Sequence, residues 1–122
     1  EIRLSLVGSE MCIRDSHDSI KNLLGEQYEL EKANQSLENF VTKDTPPTFV
    51  WHTQPDDCVP VENALMLVSA LQKNGIKTEF HMFPEGGHGL SLCNEVTSNS
   101  DAQLLPHVGK WFDLAAEFLQ SL

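Results

Sequence analysis

From Thr45 onward the hydrophobic residues alternate between strand-like and helix-like patterns. Thr45-Pro46-Pro47 breaks any preceding helix and leads into Thr48-Phe49-Val50-Trp51-His52, a β-rich run bounded by turn residues that predicts a buried parallel strand. Pro60 then opens and Gly75 closes a segment in which Val61, Ala64, Leu65, Val68 and Leu71 recur at the i, i+3, i+4, i+7 spacing of an amphipathic helix. A second strand is expected from Ile76 to Phe83, with Ile76, Phe80 and Phe83 apolar and Pro84 closing it. A loop rich in Ser, Asn and Asp runs from Ser91 to Gln103. Beyond it, Val108, Trp111, Phe112, Ala115, Phe118, Leu119 and Leu122 form a wide stripe, so a C-terminal helix is expected that must pack on something. Strand, helix, strand, helix with short turns is the pattern of an α/β fold, a parallel sheet covered by helices whose ligands sit at the carboxyl ends of the strands.

The chain before Thr45 is less structured in its pattern. Ser19 to Gly25 reads as a short helix stopped by glycine, and Gln27 to Val41 as a surface-lying helix with intermittent apolar residues. Residues 1–16, EIRLSLVGSEMCIRDS, differ in character from the rest and resemble the translated read-through of a sequencing adapter. They are expected to be a non-native leader, with native chain from His17 to Leu122. The alternative is a short strand, because Ile2, Leu4 and Leu6 alternate with polar residues. With no initiator Met and no basic-then-apolar leader at Glu1, truncation of a longer protein is the expectation.

Composition narrows the function classes. The 122 residues allow one small domain or a piece of one, and 40% hydrophobic content argues against disorder. No apolar run approaches the roughly 18 residues needed to span a bilayer. Eighteen acids against eight bases give a formal charge of −10, which leaves binding to nucleic acid or an anionic membrane without electrostatic support. Cys12, Cys58 and Cys93 are odd in number and form no CxxC, which argues against a disulfide scaffold and favours the reducing cytoplasm as the default.

Chemistry concentrates after the two predicted strands. His52-Thr53-Gln54-Pro55-Asp56-Asp57-Cys58-Val59-Pro60 follows the first and Glu85-Gly86-Gly87-His88-Gly89 the second. An acid past one strand and a histidine past the next is the chain order of the last two members of a Ser-Asp-His triad in α/β-hydrolases. In such a triad the histidine takes the serine proton while the carboxylate fixes its tautomer. The glycines around His88 allow a tight turn and leave room for substrate. Spacing alone leaves Asp56 and Asp57 both open, the other acid being a solvated turn residue or an aid to the helix start. No Gly-x-Ser-x-Gly occurs in the chain, so the nucleophile is expected upstream. His52, His81, His88, Cys58 and Cys93 show no paired close spacing, and neither a metal nor any other cofactor is expected. Cys58, two residues beyond Asp56, reads as a small semi-buried turn residue rather than a nucleophile. Trp51 and Trp111 are expected in the core with an N–H needing a partner, and His81 packed or exposed on the sheet.

Several segments together resemble the bacterial acetyl esterase and acetylxylan esterase group of α/β-hydrolases, which is related to feruloyl esterases, lipases and the prolyl oligopeptidase catalytic domain. They are Asn22-Leu23-Leu24-Gly25, Asp44 to Thr53, Val59 to Leu65, Phe83 to Leu90, and Pro106-His107-Val108. The resemblance implies the last strands of an α/β-hydrolase sheet with flanking helices. It also implies a carboxylic ester hydrolase acting on a small-molecule ester through an acyl-enzyme. In such enzymes Asp stands four residues after the histidine that ends the strand and before a Val-Pro helix start, which selects Asp56 as the carboxylate beside His88 as general base and acid. The serine and the oxyanion loop implied by the resemblance are absent from these residues, so the chain by itself is expected to be inactive. A sheet of about two strands also predicts an open edge and marginal stability. The rivals are a serine peptidase of prolyl oligopeptidase type and a non-catalytic α/β interaction module.

Overall fold

The computed structural model describes residues 25–27 and 36–122. The expected leader, residues 19–24 of the short helix and residues 28–35 of the surface helix lie outside the described residues. Of the segment expected to be helical to Val41, Leu37–Asn39 forms a single 3-10 turn. Local side-chain bonds compete with a longer helix here: Ser36 Oγ donates to Glu38 Oε2 at 2.6 Å, and the Thr42 N–H donates to Thr45 Oγ1 at 2.9 Å.

The core of the structure is a parallel pair of strands, β1 (Thr48–Thr53) and β2 (Thr78–Phe83), in register from Thr48 opposite Thr78 to Thr53 opposite Phe83. Pairing continues one residue further, where the Gln54 N–H donates to the Phe83 carbonyl at 2.8 Å. Helix α1 (Val61–Lys73) connects the two strands. Its end shows why β2 begins at Thr78 rather than at Ile76. Gly75, at φ +71°, closes a Schellman turn in which the Ile76 N–H bonds the Leu71 carbonyl and the Gly75 N–H bonds the Gln72 carbonyl. Ile76 therefore spends its donor on the helix cap and is not available to the ladder.

Alternation along β1 sends side chains to two faces, and both are covered, as a parallel sheet requires. On one face Val50 packs with Val59, Ala64, Leu67 and Leu71, flanked by Val68, Ile76 and Phe80. Leu65, expected on this face, is instead exposed, while Leu67 and Asn63 are buried. At about 100° per residue Leu65 lies a quarter turn from Ala64, off the edge of the buried stripe. On the opposite face Phe83, Leu90, Cys93 and Val108 form a second cluster with Trp51, Leu105 and Trp111.

The expected single C-terminal helix is two helices, α2 (Pro106–Gly109) and α3 (Trp111–Gln120), hinged at Lys110. The break falls where a Cβ on Gly109 would sit 3.0 Å from the Leu92 carbonyl oxygen, so the preceding loop crosses the helix at its one side-chain-free position. Val108 and Phe118 are buried, Phe118 lying 6.0 Å from the Phe49 ring, whereas Phe112 and Leu119 face outward. Among the described residues no helix is long and apolar enough to cross a membrane.

Candidate active site

Both chemistry-bearing loops leave the carboxyl ends of adjacent strands. After β1 the chain turns through Thr53-Gln54-Pro55-Asp56, the Asp56 N–H reaching the Thr53 carbonyl at 3.4 Å. The Asp56 side chain then organises the start of the next segment. Its Oδ1 accepts the N–H groups of Cys58 at 3.0 Å and Val59 at 2.9 Å, an Asx turn that leads into α1. Its second oxygen, Oδ2, lies 3.1 Å from His88 Nδ1, across the gap to the loop after β2. Asp57 is exposed and solvated. The carboxylate that meets His88 is thus that of Asp56.

Because an ionised carboxylate only accepts, this contact requires the His88 proton on Nδ1 and puts the basic lone pair on Nε2. Burial pushes the Asp56 carboxyl upward, but the Val59 N–H, the His88 ring and the Cys58 N–H, together with the attraction of a charged His88, outweigh it. The group ends below its ordinary value of 3.8. Only a tenth of the Asp56 side chain is exposed, against 41% for His88. The acid is therefore sheltered while the histidine opens to a cleft of about 240 Å³, lined by Trp51, His52, Asp56, Val59, His88 and Leu90 among others.

The histidine loop is held by glycines and by the second core cluster. Gly86 adopts φ +105°, and a Cβ there would collide with the Leu90 side chain and lie 3.3 Å from Thr53. Gly87 has open space around it. Gly86→Ala is accordingly expected to cost about 2–3 kcal/mol through a strained φ and a crowded buried neighbour. Gly87→Ala should be near neutral. Denaturant midpoints for the two variants check this, and equal midpoints would remove Gly86 from its role. Beyond the loop, Leu90 and Cys93 are buried, and the Trp111 indole N–H donates to the Ser91 carbonyl at 2.8 Å. Trp111 also stacks on Trp51, with ring centroids 5.1 Å apart and planes 13° from parallel. The predicted need of a core tryptophan for a polar partner is met at Trp111 by the loop that carries the histidine.

His52 has a larger place here than sequence spacing gave it. It is buried, its Nδ1 is bonded to the Thr53 carbonyl at 2.8 Å, and its Nε2 lies 4.0 Å from Asp56 Oδ2. The signal was its position four residues before Asp56. Cys58 is exposed rather than semi-buried, and its thiol is pushed up by partial desolvation and then by the charges of Asp57 and Asp56, which disfavours a thiolate nucleophile. His81 Nε2 pairs with Glu79 at 2.7 Å at the side of the sheet, and His107 packs edge-on against Phe83. Neither reaches the cleft lining.

A two-faced parallel sheet with an acid and a histidine at consecutive strand ends defines a portion of an α/β-hydrolase, and solved α/β-hydrolases share this fold. Residues 13–115 match the model of the prolyl oligopeptidase family, and the chain belongs to that family. The carboxylesterase Cest-2923 of Lactobacillus plantarum superposes with a TM-score of 0.75 at 30% identity, covering 90% of this chain and 39% of that one. The acetyl ester-xyloside bifunctional hydrolase of Caldicellulosiruptor lactoaceticus gives 0.64 at 39% identity, covering 75% and 30%. Endo-1,4-beta-xylanase B of Butyrivibrio fibrisolvens is 40% identical over 79 residues, which are 64% of this chain. The chain spans 12% of that relative's length.

Proposed function

We propose that this chain supplies the acid and the histidine of a Ser-His-Asp triad in a carboxylic ester hydrolase that removes acetyl or similar small acyl groups from sugars or xylan. The observation that carries the reading is the 3.1 Å contact between Asp56 and His88 at the ends of adjacent parallel strands. In this mechanism His88 Nε2 takes the proton of a serine hydroxyl as it attacks the ester carbonyl, and then returns it to the leaving alcohol. Asp56 holds the ring in the required tautomer and stabilises the imidazolium formed in between. The serine and the oxyanion donors belong to a segment outside these 122 residues, since the chain holds no Gly-x-Ser-x-Gly. The acyl and alcohol preference follows the relatives' names, a carboxylesterase and an acetyl ester-xyloside hydrolase.

The test compares the 122-residue chain with the full-length enzyme, meaning the protein that carries this chain behind its nucleophile segment. The full-length enzyme is expected to turn over a chromogenic acetate ester and acetylated xylan and to react with a fluorophosphonate probe. The chain alone should do neither. Cleavage of a proline-containing peptide amide without ester turnover would instead establish the peptidase reading that the family match also accommodates. No probe labelling and no turnover in the full-length protein would leave a non-catalytic module.

A further inference from the structure

The Asp56–His88 pair has a third donor beside it. One ligand atom each from Asp56, Cys58 and His88 lie within 4.8 Å of one another, with Asp56 and Cys58 two residues apart on one loop and His88 on the other. The Asx turn produces this. By accepting the Cys58 and Val59 N–H groups through Oδ1, Asp56 folds the Cys58 side chain back beside its own carboxylate, and Oδ2 is left facing His88. We infer that Asp56, Cys58 and His88 form a chelating site for a thiophilic divalent cation of the zinc class, and that filling it disables the acid–histidine pair.

The donor set is one carboxylate oxygen, one thiolate and one imidazole nitrogen, which suits zinc and cobalt rather than magnesium or calcium. Metal–ligand bonds of about 2.0–2.3 Å put tetrahedral donors roughly 3.3–3.7 Å apart. The widest separation in the cluster, up to 4.8 Å, exceeds that geometry by about 1.1–1.5 Å. Oδ2 and Nδ1, at 3.1 Å, need little movement, and Cys58, at the surface, can close the rest by rotating its side chain. A water or a substrate oxygen completes the fourth position. Binding releases the thiol proton to solvent and shifts the His88 ring proton from Nδ1 to Nε2, which frees the Nδ1 lone pair for the metal.

Coordination engages both parts of the proposed base. It occupies the carboxylate oxygen that orients His88 and a ring nitrogen of His88 itself. The site stands on geometry alone, whereas its inhibitory effect rests on the triad reading, and two measurements separate them. Cobalt(II) titration of the full-length enzyme under reducing conditions is expected to produce a near-ultraviolet thiolate-to-cobalt charge-transfer band. Cys58→Ser should abolish that band, and His88→Ala should weaken binding by about tenfold or more. A band of equal strength in Cys58→Ser, arising from another cysteine, overturns the site. Zinc is then expected to inhibit ester hydrolysis in the wild type at concentrations at least about tenfold lower than in Cys58→Ser. Cobalt bound through Cys58 without any effect of zinc on hydrolysis would keep the metal site and overturn its inhibitory role, whereas wild-type turnover in His88→Ala would overturn the Asp56–His88 reading itself.

Discussion

Replacing His88 by alanine in the full-length enzyme is expected to lower kcat for an acetyl ester by about 10⁴- to 10⁶-fold while leaving KM and the fold nearly unchanged. The size of the effect follows from geometry. With the ring removed, a serine hydroxyl has no base to accept its proton, and the departing alkoxide has no acid to protonate it. The fold should tolerate the change because His88 is two-fifths exposed and its partner Asp56 keeps two backbone N–H groups. The stability cost should stay within about 1.5 kcal/mol. Steady-state kinetics and a denaturation curve on the same preparation check both halves. A variant retaining more than about a tenth of wild-type kcat would remove His88 from the reaction.

Asp56→Asn should cost about 10⁴-fold in kcat, by a different route. The amide oxygen still accepts the Cys58 and Val59 N–H groups, so the turn into α1 survives. The amide nitrogen, however, now faces His88 Nδ1 as a donor. That forces the ring proton onto Nε2, the atom that must be basic. Asp56→Ala should lose a similar amount of activity and, in addition, about 1–2 kcal/mol of stability, because the two N–H groups lose their acceptor. The pH dependence of stability has a definite sign. The folded carboxyl lies below its ordinary value, so the ionised form is favoured by folding. Its contribution is complete above about 3.8 and is lost as pH falls through the lower folded value. The stability gap between wild type and Asp56→Ala, measured by denaturant unfolding, should thus be constant near neutrality and narrow only in strong acid. A gap that closes between pH 5 and 7 would mean that Asp56 is not held as described.

The elements that position the site were legible because their sequence cues are local. The Pro46-Pro47 break, the Pro60 start and Gly75 stop, and the Pro84 end bracket β1, α1 and β2 to within about two residues, and turn chemistry depends on neighbours in the chain. The contact between Asp56 and His88 was legible for a related reason: parallel strands in register bring consecutive strand ends side by side. What periodicity does not carry is whether an apolar face finds a partner. Leu65, Phe112 and Leu119 belong to apolar stripes by spacing, yet each is exposed in the structure. The hinge at Lys110 depends on Leu92 crossing at Gly109, a contact between segments far apart in sequence. That His88 joins Asp56 and Cys58 was hidden for the same reason, since ligand spacing along the chain says nothing about a donor brought from a second loop.

Asp56 and His88 stand 32 positions apart, in the loops that leave the two strands of one strand–helix–strand unit, whose second face is covered by the chain that follows His88. Any exchange of sequence before Thr48 is therefore expected to leave the pair intact. On the proposed reading, a change in what stands before Thr48 would alter the groups admitted to the cleft without unsettling the match between Asp56 and His88.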